Sequence, residues 1–241
     1  MRAIILAAGS SKRLRPLTDD TPKCLLEIGG KSLLVRNIEI LHNIGIKDIT
    51  IVVGFLKEHI IYKIKNIYPD VKFIDNSIFA ESGSGYSLYL GLKSIEHDQD
   101  VVFMDADILY DPAIVKDIKS QPGIPFLYVK QHACDEEAVK VFTDNNGFVS
   151  KISKIADSDS SCVGESMGIV KLSSDAVLSI CETSEKEIKY QNFDFEWEYL
   201  LDKNLDKLKL YTIKTTLHWI EIDFPADVVR AEKMEKQFRV M

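Results

Sequence analysis

The sequence predicts an α/β fold in which a mixed, mainly parallel β-sheet is flanked by helices. The first half of the chain alternates short apolar runs with stretches of helical periodicity. Strands separated by helices of about 10–15 residues are typical of right-handed crossovers and a parallel sheet. The 241 residues are 46% hydrophobic, which is enough to bury a sizeable core in one domain.

The first half of the chain has clear boundary signals. The run Arg2–Ala7 is apolar after its first residue, which is typical of a strand buried on both faces. Gly45 is placed to end a helix, and Ser84, after Gly83, is placed to cap the start of another. The predicted order is strand 2–7, helix 33–44, strand 48–53, helix 58–67, strand 71–74, helix 84–95 and strand 100–104.

The second half is less regular. A turn is predicted at 145–147, and a mixed segment at 162–172 with two glycines is expected to be a strand that passes a ligand. We expect a single domain over 1–241, with a substrate-facing lid or subdomain around 125–205. The other predicted elements are strands at 125–130, 138–143, 148–152, 208–213 and 218–222, and helices at 173–184, 194–201 and 225–238.

The charge and apolar pattern exclude several classes of protein. A formal net charge of −7 is a poor match for a nucleic-acid-binding surface. The chain has no apolar stretch near the roughly 18–20 residues of a membrane span, and the run at 3–8 is too short for a signal peptide. The four cysteines, which form no C-x-x-C pair, are expected to be reduced thiols in the cytoplasm. They are Cys24, Cys134, Cys162 and Cys181.

The first strand leads into a loop of small and basic residues. Small residues at 7–11 allow a ligand to approach the backbone, whose successive N–H groups can form an anion site. Lys12, Arg13 and Arg15 add positive charge, which suits a triphosphate. The loop is neither a P-loop nor a dinucleotide fingerprint. On chemistry alone, an ordinary turn with solvated basic residues remains an open alternative.

Two acidic pairs end predicted strands. Asp105 and Asp107 follow strand 100–104, and Glu221 and Asp223 end strand 218–222. Side chains at i and i+2 of a strand face the same way, so each pair can present carboxylates to one point. Carboxylates from two distant segments, together with phosphate oxygens, make a typical magnesium site. Two solvated strand ends are the alternative interpretation.

The loop resembles a known signature. Residues 6–14, Leu-Ala-Ala-Gly-Ser-Ser-Lys-Arg-Leu, are similar to the L-A-A-G-x-G-x-R-L of nucleotidyltransferases that make activated sugars and alcohols. Pro22-Lys23 matches the P-K of that family, and residues 29–33 resemble its G-x-K-P-L, with Ser32 in place of proline. Ser11 stands where the second glycine usually sits, and a positive φ there would be strained. The resemblance covers essentially the whole chain.

The resemblance implies a Rossmann-like fold of the nucleotide-diphospho-sugar transferase type and a Mg²⁺-dependent reaction. The branch most similar to this chain transfers a cytidylyl group from CTP to phosphocholine, 2-aminoethylphosphonate or inositol 1-phosphate and releases pyrophosphate. It implies that Asp107 and Asp223 bind magnesium, with Glu221 as an outer partner. Lys23 is implied to neutralise the α-phosphate or the acceptor phosphate, and Arg13 the β- and γ-phosphates.

The same resemblance assigns the two substrate sites. The acceptor site is implied to include Glu165, from a G-E-x-x-G-I segment at 164–169, and Asp194, Glu196 and Trp197 from helix 194–201. Aromatic residues at 190, 193, 195 and 197 are expected either to hold a quaternary ammonium by cation–π attraction or to pack the core. The residues implied to bind the nucleotide are Leu6, Ala7, Ala8, Gly9, Ser10, Gly83 and Ser84.

Three alternative functions stay open. A sugar-1-phosphate thymidylyl- or uridylyltransferase shares the fold, although the Tyr-Ser-Leu at 86–88 is more similar to the cytidylyltransferases. A glycosyltransferase with a D-x-D metal site would lack the N-terminal loop. A non-catalytic nucleotide-binding homologue would have lost Lys23 or a metal carboxylate, and this chain keeps them. The sequence leaves the acceptor and the oligomeric state open, a homodimer included.

Overall fold

A computed structural model describes residues 1–155 and 161–238. Residues 156–160, which belong to the predicted lid region, lie outside the described residues. The strands are β1 Arg2–Ala7, β2 Glu27–Ile28, β3 Lys31–Ser32, β4 Ile49–Val53, β5 Lys72–Asp75, β6 Val101–Asp105, β7 Ile108–Tyr110, β8 Phe126–Lys130, β9 Lys140–Thr143, β10 Val149–Ser153, β11 Ser161–Leu172, β12 Tyr211–Thr215 and β13 Trp219–Glu221. The helices are α1 Leu33–Asn43, α2 Lys57–Lys65, α3 Ser84–Lys93, α4 Ser174–Lys189, α5 Trp197–Asp202, α6 Leu205–Leu208 and α7 Pro225–Glu235.

A nine-stranded mixed sheet organises the fold. The order β5-β4-β1-β6 is parallel throughout, as the alternation of strands and helices predicts. The long strand β11 lies antiparallel to β6, and it also pairs with β9 and β8, which in turn pair with β10 and β12. The predicted mixed α/β sheet is therefore confirmed, with its parallel part in the first half of the chain.

Strand β1 is buried on both faces, and this explains its apolar composition. Ala3 and Ile5 pack into the core layer beside α1 and α2. Ile4 and Leu6 pack into the opposite layer, beside α3 and α4. Burying an isoleucine or leucine side chain contributes roughly 1.5–3 kcal/mol. The strand is therefore held from both sides, and its carboxyl end is a rigid base for the loop that follows.

The ends of α1 and α3 differ in how well the sequence predicts them. Gly45 has a φ of +77° and ends α1, while the Ile46 N–H donates to the Leu41 carbonyl at 2.9 Å. The prediction that Ser84 caps α3 is wrong, because Gly83 is the capping residue and Ser84 opens the helix. The exposed N–H of Ser84 instead donates to the Glu196 carboxylate at 3.0 Å, a partner from a distant segment.

Several predicted boundaries in the second half move. The helix predicted at 194–201 begins only at Trp197, because residues 193–195 lie extended against the start of α3. Helix α4 continues five residues past its predicted end, and α7 stops at Glu235. The strand predicted at 208–213 lies at 211–215 as β12, after the short helix α6. Within the described residues, no helix has the length and apolar content needed to cross a membrane.

Candidate active site

The candidate site lies at the carboxyl ends of β1 and β6, where open α/β sheets usually bind ligands. Leu6 pairs with Asp105, and the Ala106 N–H donates to the Leu6 carbonyl at 3.1 Å. This register sets the loop after β1 beside Asp107. A cleft of about 490 Å³, here called the loop-side cleft, opens at this edge. Its lining includes Leu6, Ala8, Gly9, Ser10, Arg13, Lys23, Gly83 and Ser84.

The loop after β1 has one glycine that packing does not require. A Cβ atom added to Gly9 would meet nothing within 4 Å, so the fold alone does not demand glycine at this position. Gly9 and Ser10 line the loop-side cleft, whereas Ala7 packs into the core beneath it. Open space above a glycine in a cleft is what the close approach of a ligand to the backbone requires.

Ser11 has the positive φ that is strained for a residue other than glycine. Its φ of +49° and ψ of +45° lie in the left-handed region. For residues other than glycine, this costs roughly 1–2 kcal/mol. The Thr18 hydroxyl and the Leu14 N–H both donate to the Ser11 carbonyl, at 2.9 and 3.2 Å. The loop therefore keeps the turn that glycine usually makes, and buried Thr18 helps to hold it.

Lys23 lies between two carboxylates. Its Nζ is 2.6 Å from Asp107 Oδ2 and 2.7 Å from Asp223 Oδ1. Burial works to lower the pKa of Lys23, but the charges of Asp107 and Asp223 outweigh it and raise the pKa above its usual range. Arg13 Nη2 reaches the other oxygen of Asp223 at 2.8 Å. Two fixed positive charges therefore meet the acidic cluster beside the loop.

The two acidic segments of the sequence come together through a short strand pair. In the β13–β7 ladder Glu221 is paired with Ile108, which places Asp223 near Asp107. Ligand oxygens of Asp107, Glu221 and Asp223 all lie within 4.8 Å of one another. Glu221 therefore belongs to this cluster itself. Although part of the Glu221 side chain is exposed, desolvation of its carboxylate, and then the charges of Asp107 and Asp223, raise the pKa of Glu221 to about 8.

An unpaired oxygen shows that the acidic cluster fits a cation. Among the described residues, Asp107 Oδ1 is buried and has no hydrogen-bond partner. Buried polar atoms are rarely left unpaired, because that costs about 1–3 kcal/mol. Three carboxylates with a free oxygen are a donor set for a hard divalent cation. The structure therefore contains an acidic cluster of the kind that nucleotidyltransferases use for a divalent metal.

Asp227 is a positioning residue that the sequence analysis missed. Its buried carboxylate accepts the N–H groups of Asp223 and Phe224, at 2.9 and 2.7 Å. These bonds fix the turn that presents Asp223 to Lys23. An acidic residue in the first turn of α7, two positions after Pro225, is the signal that could have identified it.

Asp105, the first aspartate of the D-x-D segment, faces a different environment. Its Oδ2 accepts a hydrogen bond from Trp197 Nε1 at 3.3 Å. A Cβ atom on Gly168 would come within 2.4 Å of the same oxygen, so glycine makes room for it. Burial, and then the charge of Asp107, raise the pKa of Asp105 well above its usual range. Asp105 thus connects the end of β6, next to the acidic cluster, to Trp197.

The glycines at 83 and 85 serve the packing of the chain. The Gly83 N–H donates to the Phe193 carbonyl at 3.0 Å, and the Gly85 N–H to the Phe195 carbonyl at 2.9 Å. A Cβ atom on Gly83 would lie 2.3 Å from the Phe195 carbonyl oxygen. Gly83 and Ser84 line the loop-side cleft, and their contact with a nucleotide base stays a prediction. Asn76, which the sequence did not single out, lines the same wall and donates to Ser82 and Ser87, each at 3.0 Å.

A second cleft of about 430 Å³, here called the β11-side cleft, adjoins the first and shares Arg13, Asp107 and Asp223 with it. Of the residues predicted to bind the acceptor, Glu165, Glu196 and Trp197 line it. Asp194 is exposed and is not among the described lining residues, because it precedes α5 in the segment that packs against α3. The cleft is also lined by Glu137, Lys154 and Glu198, which no motif in the sequence marks.

The aromatic residues near 190–197 do not form a cage around the β11-side cleft. Tyr190 is 82% exposed. Phe193 packs edge-on against Tyr86 at 5.3 Å, and Phe195 is buried against Gly85. Trp197 lines the cleft but is buried and packs edge-on against Phe103. The core-packing alternative is therefore correct for Phe195 and Trp197, whereas Phe193 is half-buried against Tyr86.

Carboxylates instead dominate the wall of the β11-side cleft. Glu165 contacts His132, with 2.6 Å between Oε2 and Nε2. Burial raises the pKa of Glu165 above its usual range, and it raises the pKa of Glu198 to about 7. Glu137 also lines the cleft, and its Oε2 is 3.7 Å from Lys154 Nζ. The cleft is therefore an acidic space next to the Lys23 and Arg13 cations.

Several known proteins are similar to this chain in both sequence and fold. A CTP:phosphoglutamine cytidylyltransferase from Campylobacter jejuni is 29% identical over 254 aligned positions, covering 97% of this chain and all of that protein. A choline-phosphate cytidylyltransferase from Streptococcus pneumoniae is 48% identical over 90 residues, 37% of this chain and 38% of the relative. The solved structure of CTP:phosphocholine cytidylyltransferase from the same species has a TM-score of 0.81 and 28% identity, with 97% and 98% of the two chains covered.

A solved inositol-1-phosphate CTP transferase from T. maritima, at 23% identity and a TM-score of 0.78, shares the fold over 99% of this chain and 98% of that one. Residues 3–144, which include the loop, Lys23 and Asp107, match the model of the MobA-like NTP transferase domain. This match extends over more than half of the chain. The chain therefore belongs to the MobA-like NTP transferase family and is a nucleotidyltransferase.

Proposed function

We propose that the protein transfers a cytidylyl group from CTP to a small phosphorylated or phosphonate acceptor and releases pyrophosphate. The observation that carries this proposal is that Asp107 and Asp223 line both of two adjoining clefts, while Lys23, on the loop-side cleft, is paired with these two carboxylates. The loop-side cleft has the size and the backbone loop that a nucleoside triphosphate needs. The β11-side cleft leaves room for a second substrate next to the α-phosphate.

The chemistry needs charge and positioning more than a base. A phosphate or phosphonate oxygen of the acceptor attacks the α-phosphorus, and the bond to the β-phosphate oxygen breaks. Because the second pKa of a phosphate monoester is about 6, the attacking oxygen is already anionic at neutral pH. Lys23 would donate to oxygens of the α-phosphate, and Arg13 with the loop N–H groups would hold the departing pyrophosphate. This is how phosphoryl transfer is generally catalysed.

The acidic cluster supports a role for Mg²⁺ in this reaction. Asp107 and Asp223 would hold the ion, with Glu221 as a nearby third carboxylate. The buried, unpaired Asp107 Oδ1 supports this assignment, since a metal ion would satisfy it. When bound, magnesium supplies charge neutralisation of the phosphate oxygens.

The charge of the β11-side cleft favours an acceptor with a positively charged group. Glu137, Glu165 and Glu198 line it, and Lys154 is one of the few cations on the same wall. Carboxylates can accept hydrogen bonds from an ammonium group, whereas a quaternary ammonium is usually held by aromatic faces. An acceptor with a primary or secondary ammonium therefore fits these side chains better than phosphocholine does.

A substrate screen tests the proposed function. Pyrophosphate release would be measured for ATP, CTP, GTP, UTP and dTTP, each crossed with phosphocholine, 2-aminoethylphosphonate, inositol 1-phosphate and glucose 1-phosphate. The proposal expects CTP to be the donor and an ammonium-bearing acceptor to give the highest turnover. Clear turnover with UTP or dTTP and a sugar phosphate, with none for CTP, would instead assign the protein to sugar activation.

A further inference from the structure

Two cysteines that are 28 positions apart lie side by side, one of them on β11, the strand that contributes Glu165 to the β11-side cleft. The Sγ atoms of Cys134 and Cys162 are 4.0 Å apart, and both thiols are free. Cys162 is exposed and Cys134 is half-buried, so small molecules can reach the pair. The sequence spacing gave no sign of this pairing. The other two cysteines, Cys24 and Cys181, are buried in the core.

The pair joins a loop to the strand that forms the cleft wall. Cys134 lies in the loop 131–139, which connects β8 with β9 and contributes Glu137 to the lining of the β11-side cleft. Cys162 lies on β11, three positions before Glu165, whose side chain lines the same cleft. Glu137 also approaches Arg13, with 4.0 Å between the charged atoms. The loop therefore lies between the acceptor side of the site and the cations of the phosphate side.

Non-covalent contacts hold this loop to β11 at present. His132 contacts Glu165 at 2.6 Å, and the Ser166 N–H donates to the Val139 carbonyl at 2.8 Å. The first contact involves two ionisable side chains, one of them 42% exposed, so it can open readily. A covalent link between Cys134 and Cys162 would fix the loop at a point between these two contacts.

We propose that Cys134 and Cys162 form a reversible disulfide by exchange with a low-molecular-weight disulfide such as oxidised glutathione, and that this bond tethers loop 131–139, which contributes Glu137 to the β11-side cleft, to strand β11. The sulfur atoms must approach from 4.0 Å to the bonding distance of about 2.05 Å, so both side chains must rotate toward each other. Glu137 of this loop lines the β11-side cleft, so the tether fixes part of the wall that an acceptor would contact.

The exchange needs no reactant other than the two cysteine thiols and the small disulfide. The ionised Cys162 sulfur attacks the small disulfide, whose S–S bond breaks and releases one thiol. The Cys134 sulfur then loses its proton and attacks the Cys162 sulfur of the mixed disulfide, which releases the second thiol. Two cysteine thiols lose two electrons and two protons, and the small disulfide gains them. Cys162 attacks first because it is the exposed thiol, and burial raises the pKa of Cys134 to about 11.

Peptide mapping tests the disulfide directly. The protein would be equilibrated in glutathione buffers of increasing oxidation, alkylated while folded, digested and analysed by mass spectrometry. The proposal expects one cross-linked species joining Cys134 to Cys162, with Cys24 and Cys181 still reduced. The Cys181→Ser variant is a matched control that should keep the cross-link, whereas Cys134→Ser should stop at a glutathione adduct on Cys162. Wild-type protein that carries only that adduct, or no cross-link in oxidising buffer, would overturn the proposal.

A kinetic measurement tests the effect on the cleft, and this second arm rests on the proposed function. Oxidised protein should show a several-fold higher KM for the acceptor, an unchanged KM for CTP, and full recovery after reduction. The Cys162→Ser variant, which lacks the exposed thiol that attacks first, should not respond to the oxidant. A cross-linked protein with the same acceptor KM as the reduced protein would contradict the tether. If the proposed substrates are not turned over at all, the mapping arm still decides whether the disulfide forms.

Discussion

The buried ammonium of Lys23 and the half-buried carboxylate of Asp107 form an ion pair, with 2.6 Å between Nζ and Oδ2. The pair joins the turn after Pro22 to the end of β6 and brings a cation from one segment to carboxylates from two others. In the absence of substrate, Lys23 neutralises Asp107 and Asp223. In the proposed reaction, the same ammonium faces the phosphates, so the ion pair keeps a catalytic cation charged and in place.

Replacing Lys23 with methionine should reduce turnover by roughly 10²–10³-fold, because a donor to the reacting phosphate is lost. Lys171 offers a matched control, since it is also buried and lies 3.1 Å from Asp100, outside both clefts. Both Lys23→Met and Lys171→Met should lower the melting temperature by leaving a carboxylate unpaired. Only the first should lower kcat in steady-state assays. Near-normal kcat in folded Lys23→Met would remove the catalytic role of Lys23.

Replacing Asp107 with asparagine should weaken divalent-metal binding by at least roughly tenfold, as loss of a metal-site group typically does. The measurement is a titration with Mn²⁺ followed by electron paramagnetic resonance, with Mg²⁺ as competitor. Asp117, an exposed aspartate outside the cluster, supplies the control Asp117→Asn. Equal affinity in wild-type and Asp107→Asn protein would show that the metal binds elsewhere.

Gly9 and Gly123 allow fold and function to be separated. A Cβ atom meets nothing within 4 Å at either position, but Gly123 has a φ of +75° and Gly9 is not in the left-handed region. Gly9→Ala should leave the melting temperature unchanged and raise the KM for the nucleotide, because the new methyl group obstructs the approach of the nucleotide to the loop backbone. Gly123→Ala should lose about 1 kcal/mol of stability and keep the nucleotide KM. Unchanged nucleotide KM in Gly9→Ala would argue against close contact at the loop.

The raised pKa of Glu198 predicts that the stability of the protein depends on pH. Burial raises its pKa in the folded protein from an unfolded value of 4.5 to about 7, so folding favours the protonated acid. This contribution is fully present below pH 4.5 and is lost as the pH rises to about 7. Relative to wild type, Glu198→Gln should gain about 3 kcal/mol of unfolding free energy by pH 8, since one pKa unit is worth about 1.4 kcal/mol. Urea unfolding in EDTA from pH 4 to 8 measures it, and parallel curves for the two proteins would contradict the buried acid.

The first half of the fold could be predicted because its signals are local. The apolar run of β1 reflects burial on both faces, and Gly45 marks the end of α1 by its own conformation. The start of α5 could not be predicted in this way. It depends on residues 193–195 pairing with Gly83 and Gly85, which lie more than 100 positions earlier. Such long-range pairing leaves little trace in periodicity.

Within the candidate site too, residues that belong to a short motif could be predicted, and residues placed by long-range packing could not. Lys23, Asp107 and Asp223 were found because each belongs to a short motif, and the β13–β7 ladder brings the two acidic segments together. Ser11 has the left-handed backbone that its place in the motif indicated. The acidic wall with Glu198 was missed, because the direction of a side chain at the start of α5 depends on how that helix packs.

The most direct measurement of the central claim follows the α-phosphorus of CTP. The protein would be incubated with Mg²⁺, CTP labelled at the α-phosphate and 2-aminoethylphosphonate, and the products would be resolved by ³¹P NMR and mass spectrometry. We expect the label in a CMP–acceptor product with a new P–O–P bond, together with one equivalent of pyrophosphate. The experiment would be repeated with the other acceptors of the substrate screen. Cytidylyl transfer would be contradicted if the label stays in CTP, or appears only in free CMP, with every one of these acceptors.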